Sequence, residues 1–227
     1  MASRMLVGTL LLLTWPAPFV ARAQDTVNEF WPEVDAYVTL SPKYRLLFMA
    51  AHAKDRDSGA ESSELGTNPD ITLKPILRVN FRSLDPERQK YLTFRVGYRF
   101  LPSETGPNEN RMIMELTPRF PLSRAILLAD RSRIDLRWRD TFSWRYRNRL
   151  SLDREFKVRS VVFDPYMRGE AYYDFTASSW TRFSLIGGVV VPICKRAEIE
   201  PSLERQNIPG STTNHVNGAG LTLSLYF

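Results

Sequence analysis

Arginine is concentrated in one stretch of this sequence, on either side of the dipeptide Asp140-Thr141. Guanidinium groups present several hydrogen-bond donors in a rigid fork, which matches carboxylate and phosphate groups. Before the turn, the only carboxylate between these arginines is Asp135. These arginines can therefore form ion pairs with carboxylates that are distant in the sequence, or bind an anion. The arginines are Arg131, Arg133, Arg137, Arg139, Arg145, Arg147 and Arg149.

The spacing of these arginines by two residues places them on one face of an extended hairpin. Two registers are open: one sets Asp135 opposite Arg145, and the other sets it opposite Arg147. Each leaves at least one opposed arginine pair, such as Arg133 with Arg147 or Arg149, and opposed like charges destabilise a sheet. We therefore expect counter-charge from later strands, in a charge network that also contains Arg168, Glu170, Glu198 and Glu200.

Residues suited to catalysis are few. The two histidines, His52 and His215, lie near Ser58 and Ser211 at the ends of predicted strands, and the single cysteine, Cys194, excludes an internal disulfide. The motifs G-x-S-x-G and H-E-x-x-H and a glycine-rich phosphate loop do not occur. The sequence therefore predicts no enzymatic activity, no metal and no cofactor, with a lipid-modifying hydrolase or acyltransferase as the alternative.

Alternation of apolar and polar residues with period two runs through most of the chain and predicts β-strands. No stretch after residue 23 has a convincing helical period. The elements that position the arginines are therefore strands, and the fold class is all-β. Clear examples are the stretches 92–100, 112–120, 134–138 and 142–152.

The last nine residues, 219–227, form one of these alternating stretches. Leu221, Leu223, Leu225 and Phe227 share one face of it. Chain ends are usually polar and frayed, whereas a transmembrane β-barrel needs a closing strand that leaves no edge in lipid. The stretch therefore predicts the closing strand of a membrane barrel, and we expect barrel-assembly machinery to recognise it.

Polar stretches with glycine and proline at 55–69, 102–110 and 207–214 predict long connections, separated by short ones. This pattern is typical of outer-membrane barrels, whose long loops are extracellular. The strand count comes to eleven, but bacterial single-chain barrels usually have an even number. We therefore expect an antiparallel transmembrane β-barrel of about twelve strands, with ten as the alternative. The segment 29–40 fits least well, because it would run parallel to the last strand.

The first 23 residues predict a secretory signal peptide. Arg4 supplies a basic start, residues 5–15 are a short apolar stretch, and Ala21-Arg22-Ala23 has the form of a signal-peptidase site. The apolar stretch is shorter than the roughly 20 residues that a spanning helix needs. We expect cleavage after Ala23, which leaves a barrel domain at 24–227. Loss of Arg4 and Arg22 lowers the formal charge from +6 to +4.

Alternation alone fits a soluble barrel as well as a membrane barrel. The predicted apolar faces carry large aromatic residues such as Tyr98, Trp138 and Trp144, as the girdles of membrane barrels do. Arginine supplies 25 of the 31 basic residues, unlike the mixed lysine and glutamate of soluble surfaces. These features favour the outer membrane of a Gram-negative bacterium, and an exported chain of this pattern does not fit nucleic-acid binding.

The chain also resembles a bacterial outer-membrane β-barrel family that is defined only as a domain of unknown function. The resemblance rests chiefly on 131–138, on 142–150 and on the opening 30–35. It extends over nearly the whole chain after residue 23 through Pro165-Tyr166, 170–173, 180–182, Gly187, Glu200-Pro201 and 217–227. It implies an outer-membrane barrel and carries over no catalytic or ligand-binding residue.

We expect a monomeric outer-membrane barrel with an arginine-lined lumen, in a structural or passively conducting role, with outer-membrane lipid as its partner. An excess of arginine over acid on the predicted inner face favours, as an alternative, a porin-like passage or pocket for anionic solutes or lipid headgroups. A narrow barrel favours a packed lumen instead. The small residues Gly218, Gly220, Thr222 and Ser224 predict that any passage follows the last strand.

Overall fold

The computed structural model describes residues 25–56, 58–74, 84–103, 106–123, 125–159, 161–210 and 213–227. The predicted signal peptide at 1–23 lies outside the described residues, as does the part of a predicted strand at 75–81. Among the residues described, no helix is long and apolar enough to cross a membrane.

Twelve β-strands and one short 3-10 helix, Pro86–Gln89, follow one another along the described chain, which confirms the prediction of an all-β fold with about twelve strands. Alternating stretches form strands because successive side chains point to opposite faces of a sheet. The strands are β1 (Asp25–Thr39), β2 (Tyr44–Asp55), β3 (Glu61–Lys74), β4 (Leu92–Leu101), β5 (Glu109–Ser123), β6 (Ile126–Trp138), β7 (Phe142–Arg154), β8 (Phe156–Val158), β9 (Val161–Asp174), β10 (Ser179–Cys194), β11 (Ala197–Asn207) and β12 (Thr213–Tyr226).

Eleven of these strands form the wall of a closed β-barrel. The three-residue β8 pairs only with one end of β9, so β7 pairs directly with β9 in the wall. The wall continues from β9 through β12, and β12 pairs with β1 to complete the ring. Closure leaves no strand edge in the ring, which is the condition for spanning lipid with strands.

The pair formed by β1 and β12 is parallel, while the other neighbours in the wall are antiparallel. An odd number of strands that alternate in direction must begin and end in the same direction, so the seam is a consequence of the count. Val34 pairs with Leu223 across it, and Phe30 pairs with Ala219. The segment 29–40, which fitted least well in the sequence, is therefore a full member of the wall.

Strand alternation separates an inner from an outer face. On β2, Arg45, Leu47 and Met49 are buried, whereas Tyr44 and Phe48 between them are exposed. The inner face is largely polar and the outer face largely apolar, which is the pattern of a membrane barrel with a polar interior. Exposed apolar side chains are distributed around the outer wall, as at Val34, Phe48, Leu65, Tyr98, Met112, Leu150, Met167, Leu185, Leu203 and Leu221.

The predicted closing strand occupies the position expected of it in the wall. Leu221, Leu223 and Leu225 lie on the outer face of β12. Phe227 follows the strand and stays paired to β1, because its N–H donates to the Tyr37 carbonyl at 2.8 Å and its carbonyl accepts from the Thr39 N–H at 2.9 Å.

The connections between strands lie at two rims. The lower rim carries the end of β12 and the turns from β1 to β2, β5 to β6 and β10 to β11, and the opposite rim is the upper rim. The prediction of a long upper connection at 55–69 is wrong, because Glu61–Lys74 forms β3 and the connection spans only 56–60. The outer face of β3 begins with Glu61 and Ser63, so no apolar alternation marks its start.

Candidate functional site

The arginine hairpin is formed by β6 and β7, and its register sets Asp135 opposite Arg145. The same register opposes Arg133 to Arg147 and Arg131 to Arg149. Two pairs of like charge therefore lie side by side on the inner face, where an unpaired guanidinium is costly.

Glu170 on β9 provides most of the counter-charge. Its carboxylate accepts hydrogen bonds from Arg131 and Arg149 at 2.8 Å each, and from Arg147 at 3.1 Å. The hydroxyl of Tyr172 donates to the same group at 3.0 Å. Glu170 is 4% exposed, so the three guanidinium groups converge on one buried carboxylate. Strand β9 is next to β7, and this adjacency brings a residue 21 to 39 positions away into the hairpin.

Asp135 is the second buried acid of the hairpin and has no exposed surface. The Arg133 Nε donates to it at 2.5 Å, and an Arg147 nitrogen lies 3.8 Å from its other oxygen. Arg147 thus joins Asp135 to Glu170. These two acids and the arginines around them form a continuous ion-pair network across β6, β7 and β9.

Toward the upper rim, Arg137 belongs to a separate pair with Glu109 of β5. Its guanidinium donates to both carboxylate oxygens, at 2.9 and 2.7 Å, and Arg111 donates to one of them at 2.6 Å. Arg139 lies in the turn beyond β6, is exposed, and approaches only the Pro107 carbonyl at 3.5 Å. Arg139 is therefore outside the lumen, because β6 ends at Trp138.

Arg168, Glu198 and Glu200 lie lower in the lumen. Arg168 donates to Glu200 at 2.8 Å, and the Tyr166 hydroxyl donates to the same oxygen at 2.7 Å. Glu198 accepts from the Tyr226 hydroxyl at 2.8 Å and from the Leu84 N–H at 2.8 Å. In the described contacts neither acid reaches the hairpin, so Glu170 and Asp135 carry that role.

Residues 84–90, which we call the lumen segment, fold into the barrel at the lower rim. Arg45 of β2 donates to Asp85 at 2.6 Å, and Arg88 of the segment donates to Asp164 of β9 at 2.8 Å. Asp85 also caps the short helix by accepting from the Glu87 N–H at 2.9 Å. Burial alone would raise the pKa of Asp85, but the charge of Arg45 and this backbone donor hold it below its usual value. The segment is thus tied to two sides of the wall.

Carboxylates outnumber guanidinium groups on the described inner face, so the expected excess of arginine is wrong. β1, β3 and the lumen segment supply acids that alternation did not assign to the lumen. The acids are Glu29, Glu33, Asp35, Asp55, Glu64, Asp70, Asp85, Glu87, Glu109, Glu115, Asp135, Asp153, Asp164, Glu170, Asp174, Glu198, Glu200 and Glu204. The arginines are Arg45, Arg88, Arg95, Arg99, Arg111, Arg119, Arg131, Arg133, Arg137, Arg145, Arg147, Arg149, Arg168 and Arg182.

Two cavities occupy the lumen. An inner chamber of about 490 Å³ lies below, and a mouth cavity of about 650 Å³ opens at the upper rim. Trp31, Arg147, Arg149 and Glu204 line both and therefore mark the boundary between them. The chamber contains the acids of β1 and β11 on one side and the arginines of β4 to β7 on the other.

Trp31 fills the space that the small residues of β12 leave open. A Cβ atom on Gly218 would lie 2.1 Å from the indole ring, so only glycine fits there. The indole N–H donates to Glu29 at 2.6 Å. The predicted passage along the last strand is therefore closed at Gly218, while Gly220 and Thr222 below it line the inner chamber.

Two guanidinium groups beside Tyr172, a residue that lines the mouth cavity, have little counter-charge: Arg182 lines the cavity as well, whereas Arg145 approaches the tyrosine without lining the cavity. Arg145 lies 4.0 Å from Asp174, and its buried Nε has no hydrogen-bond partner. Within the described residues, Arg182 makes no ion pair. Both approach the ring of Tyr172, at 5.7 and 5.3 Å from its centroid, and Arg147 lies 4.5 Å from it.

The histidine and serine pairs suggested by the sequence are not formed as expected. Ser58 donates to Asp55 instead of meeting His52, and Ser211 lies outside the described residues. His52 pairs with Ser63 across β2 and β3, a serine that the sequence analysis did not consider because its segment was assigned to a loop. Their Nδ1 and Oγ atoms are 3.1 Å apart.

The described residues contain no group of three or more side chains arranged to hold a metal ion. No curated protein matches the chain. A family described as "Protein of unknown function (DUF2490)" matches residues 28–217, which span the barrel from β1 to β12. The match covers more than four fifths of the chain, so the chain belongs to this family, which agrees with the suspected family of unknown function.

Proposed function

We propose that the protein is an integral β-barrel of the bacterial outer membrane whose lumen is closed by ion pairs, in a structural rather than an openly conducting role. The observation that carries the membrane location is the apolar outer wall. Residues such as Phe48, Met167 and Leu185 are 48%, 58% and 59% exposed, in a protein whose interior is charged. A wall that exposes large apolar side chains on every side is stable only against lipid or another apolar partner, and the polar groups in the middle of β6 and β7, Asp130, Ser132 and Asn148, are hydrogen-bonded to one another.

Aromatic side chains at both rims support the same location. At the upper rim, Trp144 stacks on Phe175 and Tyr173 meets Trp180 edge-on, at 3.5 and 5.3 Å between ring centroids. At the lower rim, Tyr91 meets Phe120 and Phe156 stacks on Phe163. Aromatic girdles at the two interfaces are typical of membrane barrels.

The wall strands are long enough to span a bilayer, since the shortest, β4, has 10 residues and about 9 to 11 tilted residues suffice. The two-residue connections 124–125 and 195–196 lie at the lower rim, and the long connection there, 75–91, contains the lumen segment, which returns into the barrel. Short turns face the periplasm in this class of protein, so we assign the lower rim to the periplasm. The leader at 1–23 and recognition of β12 by barrel-assembly machinery belong to the same proposal.

Closure of the lumen rests on three features. The hairpin network fills one side, Trp31 covers Gly218 at the boundary of the two cavities, and the lumen segment is tied across the lower rim. Small barrels are filled by side chains rather than left open. We expect a monomer that passes no steady current.

Planar-bilayer recording of the refolded barrel tests this function directly. We expect insertion, seen as a heat-modifiable gel band and flotation with vesicles, without a steady open current. A large, continuous current would contradict the closed lumen. Failure to float with vesicles, together with a chain that is not cleaved after Ala23 on export, would contradict the membrane location.

A second candidate function is binding of an anionic group in the mouth cavity, supported by the poorly paired Arg145 and Arg182 beside Tyr172. Calorimetric titration of the detergent-folded barrel with inorganic pyrophosphate tests it. Arg182→Gln should weaken binding about tenfold, which corresponds to one charged hydrogen bond. Arg205→Gln is the matched control, because Arg205 is exposed on the outer face and contacts Asn217. Equal binding by both variants would exclude this function.

A further inference from the structure

The outer wall at the upper rim carries a polar cluster. His52, Lys54, Glu61 and Ser63 all lie on the outer faces of β2 and β3, and Glu61 also lines the mouth cavity. Polar groups cost little near the membrane interface. The arrangement of these four side chains, and not their presence, is therefore the informative feature.

The cluster has the composition of a serine hydrolase centre. The Ser63 Oγ lies 3.1 Å from His52 Nδ1, and His52 Nε2 lies 3.7 Å from a carboxylate oxygen of Glu61. With the imidazole proton on Nε2, Nδ1 accepts a hydrogen bond from the Ser63 hydroxyl, while the Glu61 carboxylate lies beyond hydrogen-bond distance of Nε2 and acts on the ring through its charge. Acyl transfer needs a nucleophile next to a base, and the base next to an acid that orients it.

Register connects this cluster to a groove on the same outer face. Leu203 pairs with Ala219, Ala219 with Phe30, and Phe30 with Lys54, which forms one row across four strands. Lys54 pairs in turn with Glu61, and its ammonium donates to it at 2.6 Å. His52 and Ser63 lie one side-chain repeat below this row.

The groove has a volume of about 700 Å³. Its apolar lining is Phe30, Leu203 and Ala219, its cations are Lys54 and Arg56, and Asn28, Glu29, Asn217 and Gly218 complete it. Leu203 is 71% exposed, so the groove lies open to whatever surrounds the barrel. Apolar walls accept hydrocarbon, and two cations at the edge attract phosphate. This chemistry fits an acyl chain of a phosphate-bearing lipid.

We propose that Ser63 and His52 form the catalytic pair of an acyl-ester hydrolase that acts on an anionic lipid lying against the outer wall, with Glu61 as the positioning residue. The inference rests on the proposed membrane location, because only a bilayer presents a lipid to this face. Lys54 and Arg56 hold the phosphate, and Phe30, Leu203 and Ala219 receive the chain.

The reaction needs only the lipid and water. The Ser63 Oγ attacks the ester carbonyl carbon while His52 takes the hydroxyl proton. The bond to the leaving alcohol oxygen then breaks, and His52 returns the proton to that oxygen. Water attacks the acyl-serine with its proton passing to His52, which releases the fatty acid and restores the Ser63 hydroxyl.

The test measures fatty-acid release from phosphatidylglycerol in mixed micelles by the full-length, detergent-folded barrel. Ser63→Ala and His52→Ala should each lower the rate by about 100-fold, the usual scale for loss of a nucleophile or general base. Ser62→Ala is the matched control, because Ser62 is the next residue and belongs to the inner face. Lys54→Gln should raise KM for phosphatidylglycerol more than for phosphatidylcholine.

Labelling with a fluorophosphonate gives a second measurement that does not depend on a bilayer. Wild type and Ser62→Ala should be labelled, and Ser63→Ala should not. A folded wild-type barrel that releases no fatty acid and takes no label, or a Ser63→Ala variant as active as wild type, would overturn the proposal. Labelling of Ser63 in a barrel that does not enter vesicles would instead contradict the membrane location alone.

Discussion

At the scale of single residues, the protein depends on carboxylates that each serve several arginines. Glu170 is in contact with three guanidinium groups, and Asp135 with two. Such sharing is economical in a narrow lumen but makes the network sensitive to the loss of one acid, because a buried charge left without its partner destabilises strongly. The position of Glu170 follows from the β7–β9 pairing.

Glu170→Gln should therefore lower the free energy of unfolding by roughly 3 to 5 kcal/mol, since three buried guanidinium groups lose their common partner. Urea unfolding of the barrel in lipid vesicles measures this. Glu204→Gln is the control, because Glu204 lies on the same inner face and contacts Gln206 rather than an arginine. If both variants lose a similar free energy of unfolding, sharing of Glu170 by three arginines does not make it more important than Glu204.

At the scale of elements, alternation predicted most wall strands, since each has an apolar outer face. It missed the first half of β3, whose outer face begins Glu61, Ser63, and it did not identify the lumen segment. Neither has an apolar period: the first faces outward with polar side chains and the second is held by ion pairs. The acids of β3 were left out of the predicted lumen for this reason, and those of β1 because its segment would run parallel to the last strand; the predicted charge balance was wrong as a result.

The lumen segment should loosen when Asp85 loses its charge. The pKa of Asp85 is lowered in the folded protein. The ion pair between Asp85 and Arg45 therefore stabilises the segment fully at pH values above the ordinary pKa of about 3.8, and this stabilisation is lost as the pH falls through the lowered pKa. Wild type should therefore pass current intermittently only in strong acid, whereas Asp85→Asn should do so at pH 7.

Bilayer recording of the two proteins across pH measures this difference. Lys90→Gln is the matched control within the same segment, because among the described residues the Lys90 ammonium contacts the Pro42 carbonyl, at 3.1 Å, and no carboxylate. If Asp85→Asn stays as quiet as Lys90→Gln at pH 7, the lumen segment is not what closes the lower rim.

At the scale of the whole molecule, the eleven-stranded wall distinguishes this barrel from bacterial single-chain barrels, which usually have an even number of strands. The sequence count of eleven was correct for the wall, and the twelfth strand is the short β8 outside it. The sequence did not establish that the segment 29–40 belongs to the wall, because its neighbour there, β12, is parallel to it. Local pattern carries no information about the direction of a partner almost the full chain length away.

Cysteine cross-linking tests the parallel seam. In a Cys194→Ser background, Val34→Cys with Leu223→Cys should form a disulfide, because register partners lie within the Cα distance of about 4.4 to 6.8 Å that the bond needs. Val34→Cys with Ala219→Cys is the control, since four residues along a strand add about 13 Å. Linked peptides identified by mass spectrometry give the measurement, and linkage in the control pair alone would place the seam in another register.

The parallel seam also sets the order of events during assembly. The other wall contacts join strands that follow each other closely in the chain, whereas Asn28 and Asn217 meet across 189 positions. Contacts of such long separation form slowly. One edge of β1 therefore stays unpaired until the rest of the wall has formed. A chain that ends before β12 keeps two strand edges whose N–H and C=O groups can pair with another chain. Pairing of the last strand with β1 therefore removes both exposed edges in one step, and until then the incomplete wall can pair with another chain.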